Sequence, residues 1–304
     1  MTFSIVACDL EEQTCGVAVA SKFPAVGAVV PWAQAGVGAV ATQSFANPSY
    51  GPRGLALMAT GLSAEDALAR LLEDDPERNL RQVGLVDANG HAASFSGKGC
   101  YAWTGGITGS GYAIQGNILA GKRVVTAIET AFLKSKGDLA SRLHAALLAG
   151  DRAGGDRRGR QSAAIYVVKH KGGYGGYNDR WLDYRVDDHD DPVPRLGELV
   201  EMHRLYFGKS AEADRVTLDG IQLKRLQGIL SKLKYLASEP SGVFDDATRK
   251  AFAAFIGNEN FEERADPAAG WVDRPVLDFL FKKFEQEPHN TEVTIPTVPA
   301  TTRR

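Results

Sequence analysis

The segments TFSIVAC (residues 2–8) and GVAVAS (residues 16–21) decide how this chain begins to fold. Both are short runs of apolar and β-branched residues, and the turn between them carries Asp9, Glu11 and Glu12. Such side chains suit the pleated, half-buried surface of a sheet, and a polar turn separates strands that fold back on each other. The pattern therefore predicts a hairpin of buried strands.

Further runs extend this pattern along the chain. Strands are predicted at residues 26–30, 36–43, 83–87, 91–96, 162–169 and 182–186. Helices are predicted at residues 51–60, 63–72, 122–133 and 139–148. Ser63, with Asp66 three residues later, is typical of a helix N-cap. Because sheet elements lie at both ends and the helices lie between them, we expect an α+β fold with antiparallel sheet layers covered by helices.

Composition and charge argue against several classes of function. The 304 residues carry a formal net charge of −2 and give a pI near 6.3, so the general positive charge that attracts nucleic acid or an anionic membrane is missing. The N-terminus shows no signal-peptide pattern, and the apolar stretch at residues 23–41 is interrupted by Pro24 and Pro31. We therefore expect a soluble cytoplasmic protein with no membrane and no nucleic-acid partner.

The three cysteines and the acidic stretch at residues 187–191 do not predict a metal or cofactor site. Cys8, Cys15 and Cys100 are an odd number at no metal-binding spacing, so we expect reduced, partly buried thiols rather than a disulfide framework. The acidic stretch at residues 187–191 lacks the glycine and the spacing of a calcium loop. No cofactor is therefore expected.

A change in composition after Pro194 predicts a second domain. A large domain is expected at residues 1–207 and a polar linker at 208–215. A small helical domain is expected at residues 216–284, with helical runs at 220–236, 245–256 and 273–284. Residues 285–304 are rich in Thr, Pro and charge, so we expect a disordered tail.

Ordered motifs over roughly residues 2–200 resemble the DUF1028 family. They lie at residues 2–7, 16–21, 41–43, 115–117, 154–163 and 185–189. The resemblance implies an N-terminal-nucleophile (Ntn) hydrolase fold, which is a four-layer αββα sandwich. Residues 215–284 resemble a peptidoglycan-binding domain that is often appended to this family, through the motifs at 226–227, 242–245, 252–255, 259–260, 262–264 and 272–273.

The Ntn resemblance implies that the first residue of the mature chain is both nucleophile and base. Thr2 is the candidate, because removal of Met1 would expose its α-amino group, whose ordinary pKa of about 7.7–8.0 allows it to accept a proton near neutral pH. Ser4 is the second choice, since it lies on the same face of the strand but has no adjacent amine. The alternative is that Thr2 merely begins an edge strand and Met1 is retained.

Other polar residues could support this chemistry. Ser21 and Lys22 follow the second strand, where a lysine could stabilise a deprotonated hydroxyl or could simply face solvent. Gln43 and Asn117 could hold a developing oxyanion, or could be buried amides that satisfy loop backbone groups.

The segment GGDRRGRQ (residues 154–161) has the most unusual local composition. Glycines allow backbone amides to approach an anion, and arginines offer paired donors to a carboxylate, so a substrate carboxylate is the simplest partner. Gly155, Asp156, Arg158 and Arg160 are the binding candidates, with Asp188 or His189 tied to the segment. The alternative is an exposed basic turn in which Asp156 pairs with a neighbour. A P-loop is excluded, because no Gly-Lys-Ser/Thr ending is present.

Three functions remain open at this stage. The leading one is an Ntn-type amide hydrolase that acts on a small carboxylate-bearing amide or peptide-like substrate. The second is a non-catalytic protein of the same fold that binds an anionic ligand. The third is an adaptor that binds a peptide or glycan, such as a peptidoglycan fragment, through its C-terminal domain, where Trp271 beside Asp273 is a candidate ligand platform. A homo-oligomer is compatible with all three.

Overall fold

The computed structural model describes residues 2–208 and 211–286. The chain divides into two compact units, one ending at His203 and the other beginning at Arg204. Each unit has its own buried apolar core. The predicted tail lies outside the described residues from position 287 onward, as do residues 209 and 210 of the predicted linker.

The first unit contains ten strands and five α-helices among its described residues. The strands are β1 (Thr2–Asp9), β2 (Thr14–Ser21), β3 (Pro31–Gln34), β4 (Gly38–Ser44), β5 (Arg81–Asp87), β6 (Ala92–Ser96), β7 (Gly105–Gly109), β8 (Tyr112–Asn117), β9 (Ser162–Lys169) and β10 (Arg180–Val186). The helices are α1 (Tyr50–Ala59), α2 (Ala64–Glu73), α3 (Arg123–Lys134), α4 (Leu139–Arg152) and α5 (Pro192–Phe207), the last of which runs past the end of the unit.

Two antiparallel sheets form the centre of this unit. One has the strand order β10-β9-β2-β1-β8-β7, and the other has the order β3-β4-β5-β6. All of their paired strands are antiparallel, and β1 lies between β2 and β8. The prediction of a mixed fold with antiparallel sheet layers is confirmed.

Alternation along each strand sends side chains to two different cores. In β1, Phe3 and Ile5 pack with α3 and α4, whereas Val6 faces the second sheet and packs with Ala41 of β4. The opposite face of the second sheet packs against α1 and α2, for example through Leu85. The layers therefore follow the order helices, sheet, sheet, helices.

The β1–β2 hairpin forms as predicted, and its turn is fixed by Asp9. The carboxylate of Asp9 accepts hydrogen bonds from the backbone N–H groups of Glu11 and Glu12 at 3.1 and 3.0 Å. This is the local bonding by which aspartate stabilises turns.

The prediction of reduced thiols at Cys8 and Cys15 is wrong. The hairpin register places the two cysteines directly opposite each other with 4.1 Å between their Cα atoms, and a disulfide joins them. Cysteine spacing in sequence gives no sign of this, because the pairing depends on strand register. Cys100 is a free, buried thiol.

The strand predicted at residues 26–30 is also wrong. Val26–Ala28 form a short 3-10 helix, which follows Ala25 in the left-handed region at φ 51°. Gly27 lies so close to β9 that a Cβ there would be 2.5 Å from the Cβ of Ala164. The strand in this region is β3, which begins at Pro31.

The predicted helices of the first unit are present, with small shifts at their ends. α2 begins where its cap was expected, because Ser63 accepts a hydrogen bond from the backbone N–H of Asp66 at 3.1 Å. Its buried residues Ala64, Ala67, Leu68 and Leu71 follow the spacing of one helical face.

Among its described residues, the second unit contains three α-helices and a small sheet. The elements are β11 (Arg215–Thr217), α6 (Gly220–Lys232), α7 (Asp246–Asn258), β12 (Ala265–Asp266), β13 (Trp271–Asp273) and α8 (Arg274–Gln286). The sheet has the order β11-β13-β12 and was missed by the sequence analysis, because its strands are only two or three residues long.

Polar contacts fix the small sheet of the second unit. Arg264 and Asp273 form a buried ion pair at 2.6 Å. The ring of Trp271 is covered by the guanidinium of Arg215, at 4.3 Å from the ring centre. Arg215 therefore occupies one face of the aromatic ring expected to serve as a ligand platform.

In the described parts of the chain, no helix combines the length and apolar character needed to cross a membrane.

Candidate functional site

Thr2 is the first residue of β1, in the middle of the six-stranded sheet. Its side chain is 6% exposed, and its Oγ1 lies 3.2 Å from the Oγ of Ser21 at the end of β2. Across the other edge of β1, Thr2 is paired with Asn117 of β8. Removal of Met1 concerns a residue outside the described part of the chain and stays a prediction.

A network of buried amides lies behind Thr2, between the two sheets. Gln43 and Gln82 are neighbours in the second sheet, as Ser4 and Gln115 are in the first. The Nε2 of Gln43 donates to the backbone carbonyl of Thr2 at 3.2 Å and to Gln82 Oε1 at 2.8 Å. The network therefore links the strand that carries Thr2 to the facing sheet.

Ser4 is part of this network and is closed to solvent. Its hydroxyl donates to Gln43 Oε1 at 2.7 Å and accepts from Gln115 Nε2 at 2.6 Å, and the residue is 0% exposed. Ser4 lies on the same strand face as Thr2, as expected. Attack by Ser4 on a substrate would require the network to open, so the geometry favours Thr2.

Asn117 and Gln43 are already committed to partners within the protein. Asn117 Nδ2 donates to Gln82 Oε1 at 2.8 Å, and Asn117 is 1% exposed. The structure therefore favours the alternative in which these amides satisfy buried polar groups. Gln82 was missed as a site residue, because it lies just before the strand predicted at residues 83–87.

A cavity of about 390 Å³ lies beside Thr2. Gln43 and Arg81 supply polar side chains to its lining, and most of the rest is apolar. The full lining consists of Thr2, Phe23, Val26, Val29, Val30, Gln43, Ser44, Phe45, Ala46 and Arg81. The volume lies within the range of about 300–1,000 Å³ that is usual for small-molecule sites.

Arg81, in the wall of this cavity, is held by a charged cluster that the sequence analysis missed. It donates to Asp75 at 2.9 Å, to Glu77 at 2.6 Å and to the backbone carbonyl of Phe45 at 2.8 Å. Burial opposes ionisation of Asp75, but hydrogen bonds from Arg81 and Tyr50 outweigh it and hold the pKa of this carboxyl well below its usual range. Burial, followed by the hydrogen bond to Asp75, raises the pKa of Tyr50.

Lys22 is exposed, and only its backbone is tied to the site. Its N–H donates to the buried carboxylate of Asp156 at 2.8 Å. Asp156 also accepts from the backbone N–H of Arg158 at 2.8 Å. Asp156 therefore fixes the end of β2, where Ser21 contacts Thr2, and the solvent-facing alternative for the Lys22 side chain is favoured.

Both candidate arginines of the 154–161 segment are paired with carboxylates of this chain. Arg158 lies 3.3 Å from Asp156. Arg160 contacts Asp151 at 2.8 Å and Asp191 at 3.3 Å, and the hydrogen bond to Asp151 raises its pKa. The pairing of Arg158 with Asp156 is the one expected for the alternative of an exposed basic turn, and carboxylate binding by this segment stays a prediction.

A second cavity, of about 470 Å³, lies beside this segment. Its lining includes Ser21, Asp156 and Arg160, together with Gly154 and Gly159, but not Gly155. Since Ser21 contacts Thr2, which lines the first cavity, the two cavities lie against adjacent hydroxyl groups.

Asp188 and His189 are tied to the segment through Gln161, as expected. Asp188 accepts from the Gln161 side chain at 3.1 Å, and the backbone N–H of His189 donates to the Gln161 carbonyl at 2.8 Å. Among residues 2–208 and 211–286, no group of three or more His, Cys, Asp or Glu side chains could hold a metal ion.

These features describe a mixed α/β protein with two facing antiparallel sheets and a threonine held at the start of a central strand. The model of the "Family of unknown function (DUF1028)" matches residues 2–196, and that of a peptidoglycan binding domain matches residues 206–280. The chain belongs to the DUF1028 family and carries a peptidoglycan-binding-type domain behind it.

The solved structures that match the chain include the following two. Protein SPO2555 from Silicibacter pomeroyi, a DUF1028 protein, is 30% identical, with a TM-score of 0.62 over 70% of this chain and 88% of that one. Anbu (ancestral beta-subunit) from Yersinia bercovieri is 13% identical, with a TM-score of 0.31 over 69% of this chain and 100% of that one. No curated protein matches the chain.

Proposed function

We propose that the first unit is an amide hydrolase of the N-terminal-nucleophile type, with Thr2 as its nucleophile. The observation that carries this proposal is the setting of Thr2. Its hydroxyl lies 3.2 Å from Ser21 Oγ, its carbonyl is held by Gln43, and its side chain lines a cavity of small-molecule size. The four-layer αββα order supports an Ntn-hydrolase architecture.

The chemistry would begin after removal of the residue before Thr2. The freed α-amino group would accept the Oγ1 proton while Oγ1 attacks the amide carbonyl carbon, because its ordinary pKa lies near neutral pH. Collapse of the tetrahedral intermediate would release the amine, which takes that proton, and leave an ester on Thr2. Water would then hydrolyse the ester. Ser21 would orient Thr2 Oγ1 through their contact.

The experiment combines mass spectrometry of the intact N-terminus with assays of Thr2→Ala, Thr2→Ser and Ser4→Ala on acyl 4-nitroanilides. We expect loss of Met1, activity that Thr2→Ala abolishes and Thr2→Ser partly retains, and unchanged far-UV circular dichroism. Full activity in Thr2→Ala, or retained Met1 in active protein, would overturn the assignment. Loss of activity only in Ser4→Ala would transfer the role to Ser4.

Two further parts of the sequence-based hypothesis stay predictions. A substrate carboxylate at Arg158 or Arg160 would approach a guanidinium that already pairs with Asp156 or with Asp151. The disulfide between residues 8 and 15 argues against a cytoplasmic location, because protein disulfides are rare in a reducing cytosol.

A second candidate function belongs to the second unit. The family match over residues 206–280 supports binding of a peptidoglycan fragment by this unit. Calorimetric titration of the full chain with soluble muropeptides tests it, and Trp271→Ala tests the aromatic platform. Unchanged binding in Trp271→Ala would move the contact away from the ring that Arg215 covers.

A further inference from the structure

We infer that the cavity beside Thr2 selects amides whose acyl group is apolar, an aliphatic or aromatic chain rather than a charged one. This inference rests on the proposed function, because it assigns the cavity to the acyl side of the bond that Thr2 would attack. It differs from the carboxylate-bearing substrate expected from the arginine segment, since that segment lies at the other cavity.

The first support is the nature of the cavity wall. Val26, Val29 and Val30 come from the 3-10 turn and the chain just after it. Phe23, Phe45 and Ala46 complete the apolar lining, and the polar lining residues are Thr2, Gln43, Ser44 and Arg81. Val26 and Val30 are 1% and 3% exposed, so this part of the wall is fixed within the core between the sheets. A wall of branched aliphatic and aromatic side chains binds a ligand group by removing apolar surface from water.

The second support is that Arg81, the charged residue in the lining, is already neutralised. Asp75 and Glu77 both form ion pairs with its guanidinium, and the Phe45 carbonyl accepts a further hydrogen bond. A substrate carboxylate in this cavity would compete with Asp75, which is 5% exposed and whose charged form is strongly favoured. An ammonium group would find no carboxylate among the lining residues. Either charge would therefore be desolvated without a free partner.

The third support is the presence of exposed aromatic side chains next to the cavity. Phe23 and Phe45 line it and remain 49% and 51% exposed. Tyr101 is 60% exposed and packs against Phe45, with 6.3 Å between the ring centres. The apolar surface therefore continues from the cavity wall to solvent. An acyl chain longer than an acetyl group needs such a continuous apolar surface.

Binding of simple amides tests the inference without turnover. The probes are the N-methylamides of acetic, butyric and hexanoic acid, together with two chains of matched length that end in a carboxylate (adipic acid mono-N-methylamide) or an ammonium (6-aminohexanoic acid N-methylamide). Titration calorimetry on the full chain and on Thr2→Ala gives the affinities. We expect about three- to fourfold tighter binding per added methylene, and at least about tenfold weaker binding of both charged probes than of the hexanoyl probe.

Two variants locate the binding in this cavity. Phe45→Ala removes a half-exposed ring, and Val29→Thr adds a hydroxyl at nearly constant volume, so each should reduce the gain per methylene while the protein stays folded. Leu133→Ala is the matched control, since Leu133 is 61% exposed on α3 and does not line the cavity. The control should bind all the probes like the parent.

The outcomes separate the two proposals. Equal affinity along the series, no binding of any probe, or a preference for the carboxylate-ended chain overturns the apolar site. Thr2-dependent hydrolysis that is as fast for acetyl as for hexanoyl 4-nitroanilide overturns it as well, while leaving the hydrolase intact. Chain-length-dependent binding with no hydrolysis overturns the hydrolase and leaves the apolar site.

Discussion

Replacement of Gly84 should test most directly how much the buried amide network contributes to stability. A Cβ built on Gly84 would lie 2.6 Å from Cδ of Gln115 and 2.9 Å from its Nε2, and closer still to its Oε1. Real Cβ atoms do not approach this near, so Gly84→Ala must push the Gln115 amide out of place. Gln115 Nε2 would then lose its 2.6 Å hydrogen bond to Ser4.

Two costs add up in Gly84→Ala. Overfilling a packed interior typically costs about 1–3 kcal/mol, and leaving a buried hydrogen-bonding group without its partner costs about 1–3 kcal/mol more. We therefore expect the free energy of unfolding of the first unit to fall by about 2–6 kcal/mol. At about 2–4 °C per kcal/mol for a domain of this size, the melting temperature should fall by roughly 5–20 °C.

The assay is urea unfolding followed by circular dichroism, with two comparisons. Gly54→Ala is the matched control, because its Cβ would lie 3.3 Å from Leu71 Cδ1 and alanine favours the helix, so the change should stay within about 1 kcal/mol. In the double variant Gly84→Ala/Gln115→Ala the collision partner is gone, so its stability should match Gln115→Ala alone. Additive losses, or a Gly84→Ala variant as stable as Gly54→Ala, would refute this reasoning.

Three further predictions concern a tyrosine, the disulfide and the two units. Burial, and then its hydrogen bond to Glu129, raise the pKa of Tyr112 to about 12. The neutral Tyr112 hydroxyl therefore contributes fully to the free energy of unfolding below about pH 10, and this contribution should be lost as the pH rises to about 12. In urea unfolding at alkaline pH, Tyr112→Phe should lose less stability than the parent. Reducing the bond between Cys8 and Cys15, seven positions apart, should cost up to about 2 kcal/mol, and the double serine variant should not respond to reductant. Residues 1–208 expressed alone should give a cooperative melt; an unfolded product would show that the first unit depends on the second.

The sequence predicted those elements whose local pattern matches their final environment. The β1–β2 hairpin alternates between two apolar cores, and α2 has both its cap and its buried face in the local sequence. The strand at residues 26–30 failed because a short apolar run does not distinguish a strand from a buried turn. The turn there depends on Ser162, whose hydroxyl accepts from Val26 N–H across 136 positions of sequence.

Glycine-rich and proline-led strands were missed for a related reason. β7 (Gly105–Gly109) resembles a loop in sequence, yet it pairs with β8 as an edge strand, where Gly106 lies so close to β8 that a Cβ would be 2.6 Å from the Ile114 carbonyl. β3 begins with Pro31, which is tolerated as the first residue of an edge strand.

Strand alternation alone places Thr2 and Ser4 on the same face of β1. The contact of Thr2 with Ser21 needs the β1–β2 register, as does the pairing of Cys8 with Cys15, and local patterns do not give that register. The partners of Arg160 could not be predicted, because Asp151 ends a helix and Asp191 follows a distant strand. Asp156, the partner of Arg158, lies within the same segment and was one of the alternatives. Gln82 was overlooked because it acts across the space between the sheets, where its side chain contacts Asn117 and the Gly116 carbonyl. Arg81 was overlooked although two of its partners, Asp75 and Glu77, lie close in sequence. Residue patterns along one strand say nothing about which side chains face them from another sheet.

The position of Thr2 at the first residue of β1 has a practical consequence for preparing the protein. The carbonyl of Thr2 accepts a hydrogen bond from Gln43 and its hydroxyl contacts Ser21, so the strand begins at the residue that we propose as nucleophile. An affinity tag fused ahead of Thr2 turns the amine that should act as base into an amide. On the proposed mechanism, such a fusion should fold but lack activity, so affinity tags belong at the other terminus.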